Sequence, residues 1–231
     1  MNHRIVRRIQ RPPADVVRLL GQLGVATVHE VQGRTGLMRP YMRPLYPSAR
    51  LAAPAITVSC HPGDNLMIHA AVEVCSAGDV LVVAPVSESS DGMFGELLAV
   101  SCRAHGVVGL VVDAGVRDTA DLTAMNFPVW SKTISAQGTV KSSAGSVNID
   151  MVCAGAVVHP GDVIVGDHDG VVVVRRENAA EVARLGQQRQ AKEERSRERL
   201  RSGELGLDMY GLRPKLAELG VEYVDSDETD K

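Results

Sequence analysis

Aromatic residues are scarce in this chain, at 3% of 231 positions. Its core must therefore be aliphatic, packed from Val, Leu, Ile and Ala. Long apolar runs are also missing. Stretches such as Leu81 to Val86 and Val171 to Val174 fall far short of the ~20 apolar residues that cross a bilayer. The N-terminus (MNHRIVRRIQRPP) is basic but no apolar segment follows it, so it does not read as a secretory signal. A soluble, cytoplasmic protein is expected. No excess of positive charge is present: the formal net charge is −3, which leaves no electrostatic footprint for nucleic acid or an anionic membrane. The four cysteines, Cys60, Cys75, Cys102 and Cys153, form no CxxC pair and have no histidine at metal-ligand spacing. Buried, reduced thiols are expected. No glycine-rich strand-to-helix turn of the dinucleotide or adenosyl type occurs, so a methyltransferase reading lacks support.

The length fits one large domain, or a domain with an extension. Ala14 to Leu23 carries apolar positions at helical spacing after Pro12 and Pro13, and Thr27 to Glu30 reads as a capping box opening a second helix. Strands are expected at Ala52 to Cys60, Val80 to Val86 and Val107 to Val112. Helices are expected at Leu66 to Val74, Gly95 to His105 and Ala120 to Met125. Strand, helix and strand in succession imply crossovers and a partly parallel sheet. The second half reads as short strands: Phe127 to Trp130, Ser146 to Ile149, Gly155 to His159, Asp162 to Val165 and Gly170 to Arg175, with a tight hairpin turn over Asp167 to Gly170. From Glu177 to Leu200 the chain becomes helical and, after Gln187, almost wholly polar. That pattern is either a solvated face or an arm lying on another subunit. The segment Leu205 to Tyr223 is apolar again and needs cover. The tail from Asp225 to Lys231 is acidic and reads as disordered. The expected domains are a core over residues 1–175 and a helical extension over residues 176–231.

Two loops carry the chemistry. Asp113 to Thr119 (DAGVRDT) follows an apolar strand and precedes a helix, so Gly115, Arg117 and Asp118 belong to a turn at a strand's carboxyl end, where open α/β sheets keep their sites. Arg117 is a permanent cation with a planar donor fork, and Asp118 is a hard oxygen ligand. By themselves the two also suit a surface ion pair. Gly95 lets backbone approach a ligand closely, and the N–H groups of Leu97 and Leu98 at a helix start suit a carboxylate. Glu96 beside them is either a first-turn acid favoured by the helix dipole or a group facing a bound cation. If the strands are parallel neighbours, both loops open at one edge of the sheet. Glu96, the Leu97 and Leu98 amides, Arg117 and Asp118 then surround one cleft, suited to a 2-oxo acid chelated through its keto and carboxylate oxygens. One carboxylate with waters completing the shell is typical of Mg²⁺.

These residues place the chain beside a known family. ATVHEVQGRTG (Ala26 to Gly36), HPGDN (His61 to Asn65), GMFGELLA (Gly92 to Ala99), VDAGVRD (Val112 to Asp118), FPVWSK (Phe127 to Lys132), GSVNI (Gly145 to Ile149), PGDVIVGDHDG (Pro160 to Gly170) and LGLDMY (Leu205 to Tyr210) resemble the 4-hydroxy-4-methyl-2-oxoglutarate / 4-carboxy-4-hydroxy-2-oxoadipate aldolases. Those aldolases belong to a wider superfamily that includes the regulator of ribonuclease E activity. The resemblance implies an α/β fold, a layered swivelling β/β/α-type domain with mixed sheets and a C-terminal helical extension. It implies a homotrimer or homohexamer with shared active sites, and a divalent cation, Mg²⁺ or Mn²⁺, on Asp118. It implies that Arg117 contacts the 2-keto oxygen and that the loop amides from Gly95 to Leu98 hold the carboxylate. Glu193, or Glu194 next to it, matches an acid that reaches in from a neighbouring subunit. In some relatives Asp stands at the position of Glu96, where a longer carboxylate moves its bridging water but keeps the charge.

The implied activity is that of a class II pyruvate aldolase in bacterial aromatic-compound degradation. It cleaves 4-carboxy-4-hydroxy-2-oxoadipate to pyruvate and oxaloacetate and 4-hydroxy-4-methyl-2-oxoglutarate to two pyruvates, with oxaloacetate decarboxylation on the side. Metal and Arg117 stabilise a pyruvate enolate, while Glu96 and Glu193 hold the water that takes the C4 hydroxyl proton. Two alternatives compete. A Schiff-base aldolase would need an activated lysine, and Lys132 and Lys141 are the candidates in the core. A non-catalytic, protein-binding regulator would have no need of the acidic arm carrying Glu193.

Overall fold

The structure is a computed structural model that describes residues 3–225; apart from Asp225, the acidic tail lies outside them. Helix α1 (Ala14–Leu23) forms where Val17, Leu20 and Leu23 fall on one face, all buried. Each such side chain contributes about 1.5–3 kcal/mol. Helix α2 (Val25–Val31) starts three residues earlier than a capping box at Thr27 requires. Its first N–H, on Val25, is accepted by Asp167 Oδ2 at 2.9 Å, so a carboxylate distant in sequence replaces the local cap. There follow β1 (Arg43–Pro44), β2 (Leu51–Cys60), α3 (Leu66–Val72), β3 (Val80–Pro85), β4 (Gly92–Phe94), α4 (Glu96–Ala104), β5 (Gly109–Val116), α5 (Thr119–Ala124) and β6 (Val129–Ile134). The short strands β7 (Ser146–Val147), β8 (Met151–Cys153), β9 (Ala156–Val158), β10 (Val163–Asp167) and β11 (Gly170–Val174) complete the sheets.

The main sheet has the order β1-β6-β5-β3-β2-β10-β11, with β4 added beside β5 and β7 beside β2. β2, β3, β5 and β6 run parallel. β10 returns antiparallel to β2 and turns into β11 through the expected hairpin, where Asp167 pairs with Gly170. Both faces of the sheet are covered, so its strands read as continuous apolar runs. Alternation then sorts them. Leu81 and Val83 face a core shared with Ile68 of α3, Leu98 of α4 and Leu122 of α5. Val80 and Val82 face the opposite core around Trp130 and Ile164. A third cluster packs α1 and α2 on β10 and β11, together with Ala179 and Val182 of helix α6 (Ala179–Arg201).

Further details around the site also differ from the expected bounds. β5 runs on through Asp113 to Val116, so Gly115 lies in a strand and only Arg117 and Asp118 lie beyond it. β4 and β8 are three-residue strands with no period long enough to read from sequence. β6 begins two residues later than Phe127, which is buried ahead of it and stacks on Phe94, with ring centroids 5.9 Å apart. All four cysteines are free, and three are buried. Burial pushes the thiols of Cys60, Cys75 and Cys102 up to about 12, which keeps them protonated and inert.

The chain divides into two compact units between Gln187 and Gln188. The second holds the polar end of α6 and the short helices α7 (Gly206–Met209) and α8 (Arg213–Glu218), neither of which buries a residue. Leu205, Tyr210, Leu212 and Leu219 are exposed, so the apolar segment does not cover itself. Among the described residues no helix is long and apolar enough to cross a membrane.

Candidate functional site

The site is assembled at the carboxyl ends of β4 and β5, which pair in parallel. Between Val112 and Gly115 the pairing of β5 with β6 shifts, so that Asp113 and Ala114 oppose the single residue Lys132. Such a bulge re-aims the strand end that follows. Beyond it, Gly115 has no room for a side chain: a Cβ there would fall 2.3 Å from the Ser90 carbonyl oxygen. The segment between β3 and β4 thus lies directly on β5. The Phe94 carbonyl accepts the Arg117 N–H at 2.9 Å, which fixes the exit of β4 against the exit of β5.

Asp118 then takes a left-handed conformation, φ 54° and ψ 39°, at the start of α5. That conformation costs a side-chain-bearing residue about 1 kcal/mol, least for Asp and Asn. It swings the carboxylate back, and Oδ2 accepts the Glu96 N–H, the first of α4, at 3.1 Å. The Arg117 Nε lies 3.8 Å from the same oxygen, and the two side chains are 45% and 40% exposed. Gly95 makes this closeness possible, because a Cβ there would lie 2.3 Å from Asp118 Oδ2 and 3.2 Å from Arg117 Nε. Helix geometry leaves the Leu97 and Leu98 amides without partners inside α4. Leu98 is anchored in the core, while Leu97 is 80% exposed.

Gly95, the Glu96 N–H, Arg117 and Asp118 are therefore together, with the two leucine amides on the same first turn of α4. Glu193 lies in the second compact unit, where it pairs with Arg189 at 2.7 Å. Gly138, which nothing in the sequence singles out, borders the same site: a Cβ there would lie 3.7 Å from an Arg117 terminal nitrogen. Its only signal is a glycine in the connection after β6.

Lys132 is committed elsewhere. Its Nζ sits 2.5 Å from Glu88 Oε1 and 5.8 Å from the centre of the Tyr41 ring, and it holds the Glu88 carboxyl below its usual range. Lys141 is exposed. Neither has the desolvated, uncommitted amine that a Schiff-base mechanism requires. Among the described residues no three His, Cys, Asp or Glu side chains converge to hold a metal. The donor set at Asp118, one half-exposed carboxylate in a cradle that a Cβ on Gly95 would fill, fits a hard divalent cation that keeps most of its waters.

Comparison with known proteins decides the family. The model for the RraA-like family, described as Aldolase/RraA, matches residues 15–173. The chain belongs to that family. A Halalkalibacterium halodurans protein named "Putative 4-hydroxy-4-methyl-2-oxoglutarate aldolase" is 32% identical over 158 residues, 68% of this chain and 75% of that one. A Cupriavidus necator protein of the same name is 30% identical over 141 residues, 61% of this chain and 85% of that one. Among solved structures, Streptomyces coelicolor RraAS2, described as an unusual member of the RNase ES inhibitor RraA protein family, superposes with a TM-score of 0.74 at 27% identity, covering 82% of this chain and 99% of that one. The RNA-processing inhibitor RraA from Thermus thermophilis shares the fold at a TM-score of 0.59 and 23% identity, over 64% of this chain and 90% of that one.

Proposed function

We propose that this protein is a divalent-metal-dependent pyruvate aldolase. Its substrates are 4-carboxy-4-hydroxy-2-oxoadipate, cleaved to pyruvate and oxaloacetate, and 4-hydroxy-4-methyl-2-oxoglutarate, cleaved to two pyruvates. The observation that carries the reading is the contact of Asp118 with the Glu96 N–H and with Arg117 beside Gly95, which puts an oxygen ligand, a guanidinium and free helix amides on one rim. The aldolase names of the two relatives support it.

Asp118 would hold the cation, Mg²⁺ or Mn²⁺, which supplies Lewis-acid polarisation of the 2-oxo acid. The amides of Leu97 and Leu98 bind the substrate's carboxylate at the start of α4. Arg117 donates to the 2-keto oxygen and stabilises the negative charge that develops there as the C3–C4 bond breaks. Glu96, with Glu193 of a neighbouring copy, orients the water that accepts the C4 hydroxyl proton. C4 becomes the carbonyl carbon of the leaving product, and the pyruvate enolate regains a proton at C3. Oxaloacetate losing CO₂ passes through the same enolate, so decarboxylation accompanies cleavage. The extension over residues 176–231, rooted on its own core through Ala179 and Val182, is the arm that carries Glu193 to a neighbour in a homotrimer or homohexamer. The exposed Leu205, Tyr210, Leu212 and Leu219 support that role for the arm.

A second reading, a non-catalytic protein-binding regulator, draws on the likeness to RraAS2. One assay separates the two: pyruvate release from both oxo acids with and without EDTA, and with borohydride present. The aldolase reading expects release that EDTA abolishes and metal restores, without covalent trapping on Lys132 or Lys141. No release with any divalent metal favours the regulator, and full turnover after exhaustive chelation refutes the metal-dependent mechanism.

A further inference from the structure

The cleavage chemistry leaves Lys132 and Glu88 unused. Lys132 faces the bulge formed by Asp113 and Ala114. The floor beneath its ammonium is cross-linked: the Tyr41 hydroxyl donates to Asp113 Oδ1 at 2.8 Å, and Asp113 Oδ2 accepts the Ala154 N–H at 2.9 Å. The Tyr41 ring lies 5.8 Å below Nζ, within cation–π reach. Above it sits Glu88, at 2.5 Å. The two partners are unequal, because the Lys132 side chain is 23% exposed and that of Glu88 is 84% exposed. Lysine is the fixed end of the pair. Glu88 is carried by the connection between β3 and β4.

That connection leads straight into the site. The carbonyls of Ser90 and Asp91 rest on Gly115, where a Cβ would approach them to 2.3 and 2.7 Å. Gly92 donates its N–H to the Gln137 carbonyl at 2.8 Å. Phe94 holds Arg117 through the backbone, and the next two residues are Gly95 and Glu96. A displacement of the connection would be transmitted along β4 to the start of α4.

We infer that Lys132 is a positioning residue: through Glu88 it seats residues 86–91 on β5, and so keeps Gly95 and the start of α4 against Arg117 and Asp118. An ion pair with one partner in solvent adds little to global stability. It acts instead on local opening, which costs far less than unfolding. Substrate meets only the fraction of molecules in which the connection is seated, and apparent affinity falls by that fraction. The kinetic readout below rests on the aldolase reading; the exchange readout does not.

The test uses the full-length protein with Lys132→Met, Glu88→Gln and Lys132→Arg. Methionine keeps the stem over Tyr41 and removes the charge, whereas arginine keeps both contacts. Hydrogen–deuterium exchange should quicken in peptides covering residues 86–97 of the Met and Gln variants. Peptides from β2 and α1 should be unchanged, and the Arg variant should match the parent. High salt should quicken the same peptides in the parent. KM for the 2-oxo acid should rise about two- to fivefold in the Met and Gln variants, the range expected of an exposed pair, with a smaller change in kcat. Parental exchange over residues 86–97 in both variants overturns the inference, as does faster exchange spread over the whole chain. If the parent releases no pyruvate, the aldolase reading fails while the exchange data still decide the role of Lys132.

Discussion

The Asp118 carboxylate accepts the backbone N–H of Glu96 at 3.1 Å, joining the ends of two consecutive strand-to-helix connections. The approach depends on Gly95, whose φ of −152° and ψ of −169° suit any residue, so only space forbids a side chain there. Gly95→Ala should place a methyl group against Asp118 Oδ2, part Glu96 from Asp118 and lower pyruvate release by at least about tenfold, a loss of 1.4 kcal/mol in the transition state. Circular dichroism should show an intact fold. Parental activity in a folded alanine variant would mean that the Glu96–Asp118 contact is incidental.

Arg117 is assigned to a developing oxyanion, and a guanidinium fork is not reproduced by an ammonium. Arg117→Ala and Arg117→Lys should both lose about 10²–10³ in kcat, the usual loss for one such donor. A lysine variant near parental rates would reduce Arg117 to the ion-pair partner of Asp118.

Asp64 is buried, at 1% exposure, in the turn before α3. Burial pushes its carboxyl up, but the N–H groups of Leu66, Ser142 and Ser143 outweigh this together and bring it down to about 2. Its unfolded value is near 4. A depressed folded value stabilises the protein above the unfolded pKa and is lost as pH falls from about 4 through 2. Asp64→Asn should therefore cost most at neutral pH. Its deficit against the parent in urea unfolding should shrink by about 2 kcal/mol between pH 5 and pH 2. A deficit constant across that range would contradict the assignment.

The shared site makes the most exposed prediction. Glu193→Ala and Asp118→Ala should each fold and lose most pyruvate release. Dissociated and reassembled at equal ratio, they should regain part of it, because some mixed interfaces pair an intact Asp118 with an intact Glu193. Mixed oligomers, verified by mass, that remain inactive would leave the charged helix as a solvated face. So would a fully active monomer.

What the sequence fixes by itself is local. The bounds of α1 follow from apolar spacing after Pro13, and the β10–β11 hairpin follows from the Asp-Gly end of its turn. Arg117 and Asp118 are adjacent in the chain, and the Gly95 to Leu98 run is readable because glycine, acid and helix start fall within four residues. Tertiary structure decided the rest, where the partner lies far along the chain. The cap of α2 is Asp167, 142 residues away, so the Thr27 to Glu30 pattern never forms its box. β4 exists because Gly115 leaves room for the connection above β5, and three residues carry no period to announce it. Lys132 reads in sequence as a candidate nucleophile and in the fold as the partner of Glu88, because only the β5 bulge and the return of the chain from β3 bring those charges together. Local propensity is written in neighbouring residues. A contact between distant residues follows from the pairing order of strands, which no short stretch of sequence encodes.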